Sequence, residues 1–388
     1  MKIEYADRIK SLPPYLFDKI DTLKNEMKTK GADIIDLGVG DPDIPTPKPI
    51  VDVIKREVER GENHRYPFFK GMEEFRKVCA DWLKERFGVS LNYVDELLSV
   101  IGSKEAISHI PVAFVNPGDV VLVPEPAYPV YAITSAFMGG EVHYMPLLAK
   151  NDFMPDLGAI PSDVAKRAVL IYLNYPNNPT SAQATDGFFE EVVAFANKNN
   201  IIVCHDAAYT ELYFNDKRPR SFLETPGAVD VGMEIHSLSK TFNMTGWRIG
   251  FAAGNSEIVG GLGKAKSNMD SGIFQPIQYA AAFALKNTDE LSQPIREIYR
   301  KRRDVLTEAL SAAGLNFVEP EATFYFWVST PDGESSESFA ELLLKKAHIV
   351  ATPGNGFGES GEGYVRLTLC TTEERLKEAG ERIVSVMK

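Results

Sequence analysis

A lysine preceded by two serines and followed by an arginine is the densest group of reactive side chains in this sequence. The segment HSLSKTFNMTGWRIGF (236–251) contains Ser237, Ser239, Lys240 and Arg248. A lysine amine attacks an aldehyde when burial or nearby cations lower its pKa. Hydroxyl groups and the planar fork of an arginine suit a doubly charged phosphate. An SxSK sequence with an arginine could be a surface loop, but the longer pattern SLSKxxxxxGWRIGF is much less often a coincidence.

The second candidate is the carboxylate that ends the apolar run NIIVCHD (200–206). Asp206 stands at the end of this predicted strand, and Tyr209 follows three residues later. A carboxylate at the end of a buried strand is unfavourable unless a cation pairs with it. An aspartate in this position could equally cap a following helix, and the segment alone leaves both interpretations open.

Two turns offer further polar groups. In VIGSKEAISH (100–109), Ser103 and Lys104 begin a predicted helix after a short strand. The amides and dipole at a helix N-terminus bind phosphate, and the same geometry serves as an ordinary cap. NYPNNPT (174–180) is too rich in proline and asparagine to continue the strand before it, so it places Asn178 in a turn.

The elements that position these residues follow a regular alternation. Short apolar runs rich in β-branched residues alternate with amphipathic stretches such as 71–88 and 186–200. This alternation predicts an α/β fold whose mostly parallel sheet is covered by helices on both faces. Ligands bind beyond the carboxyl ends of the strands in such a sheet. The predicted strands are DVVLV (119–123), AVLIYLN (168–174), NIIVCHD (200–206), VGMEIHS (231–237) and RIGFAAG (248–254).

The pattern changes after about residue 286. A long charged helix over roughly 288–313 is followed by the apolar runs ATFYFWV, HIVAT and GYVRLTL and by a last helix, which together predict a smaller α+β unit. We therefore expect a large domain over 46–287 and a small domain over 288–388. Residues 1–45 have no obvious place in the main sheet, and we expect them to form an N-terminal arm that joins the small domain.

Composition narrows the class of protein. The net charge of −12 argues against nucleic acid or an anionic membrane as the main partner. The cysteines lie far apart without a CxxC pair, so we expect reduced thiols and no metal site. The charged N-terminus lacks the apolar core of a signal peptide, and no stretch has the length and purity of a membrane span. We expect a cytoplasmic enzyme.

These motifs resemble those of the fold-type I, class I/II aminotransferases over essentially the whole chain. The resemblance implies pyridoxal 5′-phosphate as cofactor, with Lys240 as its Schiff-base residue and as the general acid/base. It places Asp206 against the pyridine nitrogen, and Tyr209 and Asn178 against the phenolic oxygen. The residues that it implies around the phosphate are Ser103, Ser237, Ser239 and Arg248, with Lys104 facing either the phosphate or the substrate's distal group. Ser181 stands where the family usually has glycine.

The same resemblance assigns roles to single residues elsewhere. Tyr128, in EPAYPVY, would stack on the cofactor ring, and Tyr66, in HRYPFFKG, would reach the partner's phosphate across a homodimer interface. Arg366, in GYVRLTL, would grip the substrate α-carboxylate, which Gly40, in LGVGDPD, would also contact through its backbone. Tyr15, in LPPYLF, would approach the distal end of the substrate.

The expected reaction is ping-pong transfer of an amino group between an amino acid and a 2-oxo acid. Within the family, the motifs most resemble the LL-diaminopimelate aminotransferases of lysine biosynthesis. Glutamate–pyruvate (alanine) and aspartate aminotransferases share much of the pattern and remain alternatives. A pyridoxal-phosphate-dependent lyase or decarboxylase could use the same lysine, because substrate orientation decides which Cα bond breaks. A ligand-sensing regulator is disfavoured, since the N-terminus has no basic DNA-binding segment.

Overall fold

The computed structural model describes residues 1–10, residue 12 and residues 18–388, and the side chains of 18–21 are excluded from the description. In chain order the strands are β1 Ile35–Asp36, β2 Leu97–Val100, β3 Val120–Glu125, β4 Glu141–Pro146, β5 Ala168–Leu173, β6 Ile202–Asp206, β7 Gly232–Ser237, β8 Gly250–Gly254, β9 Phe317–Val318, β10 Tyr325–Ser329, β11 Ile349–Val350, β12 Thr352–Pro353 and β13 Tyr364–Thr368.

The α-helices are α1 Asp7–Lys10, α2 Asp18–Thr29, α3 Lys48–Val58, α4 Glu73–Phe87, α5 Ser103–Phe114, α6 Val130–Phe137, α7 Ser162–Arg167, α8 Phe188–Asn199, α9 Ala228–Val231, α10 Leu238–Thr241, α11 Ser256–Ser267, α12 Gln275–Lys286, α13 Thr288–Ala312, α14 Ser336–Leu342 and α15 Glu373–Met387. A π-helical turn, Leu343–Ala347, continues α14. Short 3₁₀ turns lie at Gly61–His64, Ala149–Asn151, Leu157–Ala159, Phe222–Glu224, Thr245–Trp247, Gly354–Phe357 and Glu359–Gly361.

Seven strands form the main sheet in the order β2-β8-β7-β6-β5-β3-β4. The pairings from β7 through β4 are all parallel, and β8 runs antiparallel to both of its neighbours, β2 and β7. The predicted α/β class with a mostly parallel sheet is confirmed. The reversal of β8 is a feature that the apolar pattern does not predict.

Both faces of this sheet are buried because its strands are apolar on both sides. In β3, Val120 and Leu122 join one apolar cluster, to which α3, α4, α8 and α12 contribute. Val121 and Val123 point the other way, into a cluster with residues of α5, α6 and α11. Near-continuous apolar strands are what a sheet covered on both faces requires.

The strand register brings the polar ends of several strands to one edge of the sheet. Leu173 of β5 pairs with His205 of β6, and Asp206 pairs with Ile235 of β7. β2, twice reversed relative to β7 through β8, ends at the same edge and leads directly into α5. The carboxyl ends of β2, β5, β6 and β7 therefore converge where an α/β sheet binds its ligands.

A second sheet, in the order β12-β13-β10-β9, is antiparallel and forms a separate apolar core with α13 and α15. The N-terminal arm joins this part of the molecule, since β1 pairs in parallel with β11. Arg302 of α13 adds a bidentate ion pair to Asp43, at 2.6 and 2.8 Å. The domain boundaries near residues 45 and 287 stay a prediction.

Within residues 1–10, 12 and 18–388, no helix combines the length and the apolar character needed to cross a membrane. Cys79 and Cys204 are buried and Cys370 is half-buried, and each is a free thiol.

Candidate active site

A cleft of about 1790 Å³ lies at the carboxyl edge of the main sheet and reaches the second sheet. It brings together most of the residues singled out in the sequence, although they are spread over more than three hundred positions. The predicted residues that line it are Gly40, Ser103, Lys104, Tyr128, Asn178, Asp206, Tyr209, Ser237, Ser239, Lys240, Arg248 and Arg366. Tyr15 lies outside the described residues. Tyr66 stands on the surface, with 90% of its area exposed.

Lys240 lies in α10, the short helix that follows β7 directly. Ser237 caps this helix, and its side-chain oxygen accepts a hydrogen bond from the backbone nitrogen of Ser239 at 3.3 Å. The Nζ atom of Lys240 donates to the carbonyl oxygen of Gly40 at 3.1 Å. Burial lowers the pKa of Lys240, and the charges of Arg366 and Arg248 act in the same direction. A lowered pKa increases the neutral, nucleophilic fraction of the amine.

Asp206 is a buried carboxylate with one oxygen unsatisfied. Tyr131 donates its hydroxyl to Oδ2 at 2.8 Å, while Oδ1 is buried without a hydrogen-bond partner among the residues that the structure describes. Burial raises the pKa of Asp206 to about 6, and the Tyr131 hydrogen bond opposes this change. Residues 208–211 form a turn, so no helix follows that Asp206 could cap. An unsatisfied buried oxygen calls for a cationic or donor ligand.

A cluster of anion-binding groups occupies another part of the cleft. Ser103 begins the twelve-residue helix α5 directly after Gly102, which has a φ of +74°. The Arg248 guanidinium donates to the carbonyl oxygens of Thr245 at 2.9 Å and Ile101 at 3.4 Å. A Cβ atom on Gly102 would lie 2.2 Å from Nη2 of Arg248, so glycine is required for this close approach. A helix N-terminus beside a guanidinium is suited to a phosphate.

Arg366 lies on β13 and is buried, with 5% of its area exposed. Its Nη1 donates to Oδ1 of Asn178 at 2.8 Å, and its Nη2 donates to the carbonyl oxygen of Gly38 at 2.7 Å. The backbone nitrogen of Asn178 in turn donates to Oδ1 of Asn174 at 2.7 Å. The arginine and the asparagine turn, predicted separately from sequence, are therefore in direct contact.

The contacts of Ser181 show how the asparagine turn accommodates a residue other than glycine. Its φ is +63°, in the left-handed region that glycine adopts most easily. Its hydroxyl lies 2.8 Å from the hydroxyl of Thr323 and donates to the carbonyl oxygen of Tyr325 at 2.7 Å. These contacts offset the backbone strain and attach the turn to β10.

Two buried tyrosines of the cleft were missed from sequence. Tyr131 holds Asp206 and stacks on Tyr172 with 4.9 Å between the ring centroids. Tyr325 places its hydroxyl 2.9 Å from that of Tyr209. Tyr131 lies in α6, three residues after Tyr128, and as the second tyrosine of EPAYPVY it could have been considered beside Tyr128. Tyr325 has no comparable signal in ATFYFWV.

One cluster contains the side-chain types of a metal site. Ligand atoms of Glu105, His109 and Asp270 lie within 4.8 Å of one another. The ammonium of Lys266, which is fully buried, donates to Glu105 at 2.7 Å and to Asp270 at 2.6 Å. Lys266 thus pairs with both carboxylates, and its contact with Glu105 connects α11 to α5.

The cleft as a whole fits a ligand that carries a cationic group for Asp206, an aldehyde for Lys240 and a phosphate for Arg248 and α5. Arg366 remains for a carboxylate, since it lies on a different element and is paired with neutral oxygens.

Comparisons with known proteins agree with this arrangement. A family model described as aminotransferase class I and II matches residues 32–383. The chain is 54% identical over 378 residues to an LL-diaminopimelate aminotransferase of Syntrophobacter fumaroxidans, with 97% of each chain covered. It is 53% identical to an LL-diaminopimelate aminotransferase of Aquifex aeolicus, with 98% of each chain covered. Among solved structures, apo BacF from Bacillus subtilis superposes with a TM-score of 0.94 at 37% identity, over 100% of this chain and 99% of that one.

Proposed function

The chain belongs to the class I and II aminotransferases and is therefore a transaminase, and from this premise we propose that it interconverts LL-diaminopimelate and tetrahydrodipicolinate. Glutamate is the proposed amino donor in the biosynthetic direction, and 2-oxoglutarate is the acceptor in reverse. The identity of about half of all residues to relatives that carry this name supports the proposal. Such a reaction belongs to lysine biosynthesis in the cytoplasm.

Pyridoxal 5′-phosphate is the proposed cofactor, and the unpartnered Oδ1 of Asp206 is the observation that carries this proposal. A protonated pyridine nitrogen supplies the cation that this buried oxygen lacks. The proposed phosphate ligands are Ser103, Ser237, Ser239 and Arg248, and Lys104 faces either the phosphate or the distal group of the substrate. Tyr128 would stack on the ring, and Lys240 would hold the aldehyde carbon covalently.

When bound, pyridoxal phosphate supplies a sink for the electrons of the substrate Cα–H bond. The proposed proton transfers are carried out by residues of the chain. Lys240 would act as the base that takes the proton from the substrate Cα and as the acid that returns it. The lowered pKa of Lys240 supports this role, because only the neutral amine accepts a proton. Asp206 keeps the ring nitrogen charged, which the electron sink requires.

Arg366 would orient the substrate by its α-carboxylate. Its neutral partners, the oxygens of Asn178 and Gly38, leave the positive charge available for an anion. Because the carbonyl end of Asn178 accepts from Arg366, its Nδ2 is the group that would donate to the phenolic oxygen beside Tyr209. The hydrogen bond between Arg366 and Asn178 thus connects the residue that would orient the substrate to a residue that would contact the cofactor.

The lining of the cleft supports a substrate that is charged at both ends. Lys104 contributes a positive charge, and Glu125 and Glu359 contribute negative ones. The far end of LL-diaminopimelate carries both an ammonium and a carboxylate, whereas alanine ends in a methyl group. Charged side chains of both signs are therefore more useful for the larger substrate.

A homodimer with shared active sites is also proposed. Tyr66 has 90% of its area exposed, and large apolar side chains of its own segment and of a second segment, 269–274, are exposed as well. Phe68, Met269 and Phe274 are 59%, 54% and 40% exposed, respectively. Exposed aromatic side chains of this kind are typical of protein interfaces.

The test is a substrate panel with the purified, cofactor-saturated enzyme. LL-diaminopimelate with 2-oxoglutarate should form glutamate, with kcat/KM at least about tenfold above alanine or aspartate as donor, because only its distal end offers both an ammonium and a carboxylate to the charged lining of the cleft. Meso-diaminopimelate is the stereochemical control and should react more slowly. Preference for alanine or aspartate would contradict the substrate proposal. Stoichiometric release of ammonia or carbon dioxide would contradict the reaction type.

A further inference from the structure

Tyr325 lies where the second sheet meets the cleft, and none of the roles above uses it. It is the first residue of β10, lines the cleft and has only 3% of its area exposed. Its strand pairs with β13, which carries Arg366. A buried tyrosine at this position can act on the site through its hydroxyl, its ring and its backbone.

The hydroxyl of Tyr325 lies 2.9 Å from that of Tyr209, and either oxygen could donate. The proposed function requires Tyr209 to donate its proton to the phenolic oxygen of the cofactor. The hydrogen bond between the two tyrosines must then run from Tyr325 to Tyr209. A hydroxyl that accepts one hydrogen bond becomes a stronger donor of the next, because the bonds polarise each other.

The ring of Tyr325 supports the guanidinium of Arg366. Cζ of Arg366 lies 4.4 Å from the centroid of this ring and 4.7 Å from that of Phe357. A guanidinium over aromatic faces is held by a cation–π attraction that is stronger away from water. The arginine is therefore fixed in place before an anion arrives.

The backbone of Tyr325 completes the junction. Its carbonyl oxygen accepts the hydrogen bond of Ser181 at 2.7 Å, in the turn that carries Asn178. One residue thus contacts three segments that are far apart in sequence and that are each proposed to contact the cofactor or substrate.

We propose that Tyr325 is a positioning residue that orders two groups of the active site, the hydroxyl of Tyr209 through its own hydroxyl and the guanidinium of Arg366 through its ring. The inference rests on the proposed function, because it assumes a phenolic oxygen at Tyr209 and a carboxylate at Arg366.

Tyr325→Phe isolates the hydroxyl, since it keeps the ring under Arg366. The readout is the pH midpoint of the visible absorbance change of the bound cofactor, which reports the proton on the Lys240 nitrogen. Weaker donation from Tyr209 leaves more negative charge on the phenolic oxygen, and this charge holds the proton more tightly. The midpoint should therefore rise by about 0.5 to 1 pH unit. Tyr209→Phe should move it further in the same direction.

Other ionisable groups near these tyrosines are kept constant across the variants. Arg366, Cys370 and Asp206 act electrostatically on Tyr325, and Cys370, Asp41, Arg366 and Arg248 act on Lys240. Tyr299→Phe is the matched control. Tyr299 is a fully buried tyrosine of α13 that packs on Phe324 and does not line the cleft, so neither the midpoint nor the KM should change.

Tyr325→Leu isolates the ring by comparison with Tyr325→Phe. The KM for the amino donor should rise about tenfold in Tyr325→Leu relative to Tyr325→Phe, while Tyr325→Phe stays near the wild-type KM. If Tyr325 had only a structural role, both variants would lose stability. The absorbance midpoint would then not change in Tyr325→Phe alone, nor the KM in Tyr325→Leu alone.

The outcomes separate this inference from the proposed function. A visible band in the wild type whose midpoint is the same in Tyr325→Phe would overturn the role of the hydroxyl alone. An equal KM in the two Tyr325 variants would overturn the role of the ring. A wild type without any cofactor band would overturn the cofactor proposal and this inference with it.

Discussion

Asp206 is a buried carboxylate whose protonation a bound ligand would change. It is buried at the end of β6, one of its oxygens is unsatisfied, and burial raises its pKa from 3.8 to about 6. In the absence of cofactor, the folded protein therefore keeps a proton between pH 4 and 6 that the unfolded chain has already lost. By linkage, the stability of the apo protein falls as pH rises through this window.

Asp206→Asn provides the test at this scale, because it removes the titration and keeps the size of the side chain. The unfolding free energy of apo wild type, measured relative to apo Asp206→Asn, should fall by up to about 3 kcal/mol between pH 4 and pH 7. Urea unfolding of both proteins across that range gives the difference, and other ionisable groups cancel in it. Parallel pH profiles would contradict a raised pKa of Asp206 in the apo protein. Saturating cofactor should reverse the trend only in the wild type.

Single residues could be predicted from sequence where a local motif contains them. Lys240 and Arg248 share one segment, and Asp206 and Tyr209 share another, so their types and spacing alone indicate the chemistry. Tyr325 could not be found in this way. Its partners, Tyr209 and Arg366, come from distant segments, and its neighbours in sequence resemble any apolar strand.

At the scale of elements, the sequence predicted the strands more accurately than their arrangement. The run 168–174 corresponds to Ala168–Leu173, and the helix expected at 71–88 is Glu73–Phe87. The direction of β8 could not be predicted, because RIGFAAG has the same apolar character as its parallel neighbours. Only the fold shows that reversing β8 brings Arg248, just before it, close to Gly102, which follows β2.

Gly102→Ala tests this junction of two elements. The added Cβ would lie 2.2 Å from Nη2 of Arg248. The long arginine side chain would move rather than the backbone, so the phosphate would lose its guanidinium hydrogen bonds. Cofactor affinity, measured by equilibrium dialysis, should weaken by about 10- to 100-fold.

Gly88→Ala is the matched control for this change. Gly88 has a similar φ of +70°, but among the described residues no atom outside its immediate neighbours lies within 4 Å of an added Cβ. Both variants should lose stability from backbone strain, by about 1 kcal/mol at Gly88, whose ψ is 8°, and by about 1 to 3 kcal/mol at Gly102, whose ψ is 160°. Only Gly102→Ala should lose cofactor affinity, and an equal loss in both would show that strain alone is responsible.

At the scale of the whole molecule, the cleft depends on both sheets and on the N-terminal arm. Arg366 and Tyr325 come from the antiparallel sheet, Lys240 and Asp206 from the main sheet, and Gly40 from the arm. No local pattern in the sequence indicates which distant strands meet. Only the family resemblance assigned these segments to one site before the fold was known. Tyr66 is the exception, because it stands on the surface of the single chain.

A mixed dimer tests whether Tyr66 serves a partner's site. Lys240→Ala and Tyr66→Ala homodimers should both be impaired. In a dimer with one subunit of each, one site has an intact Lys240 and receives Tyr66 from the Lys240→Ala subunit. Co-expression with two affinity tags should thus recover about half of the wild-type activity per dimer. No gain over the Tyr66→Ala protein would contradict shared sites.

Lys240 is the residue on which the proposed chemistry depends, and reductive trapping tests it most directly. Borohydride treatment of the enzyme with pyridoxal phosphate, followed by proteolysis and mass spectrometry, identifies the lysine that carries the cofactor. We expect a stoichiometric mass increase on the peptide containing Lys240 and none on the peptide containing Lys104, which also lines the cleft. Trapping at Lys104 or elsewhere, or an equally trapped cofactor in Lys240→Ala, would contradict the role of Lys240.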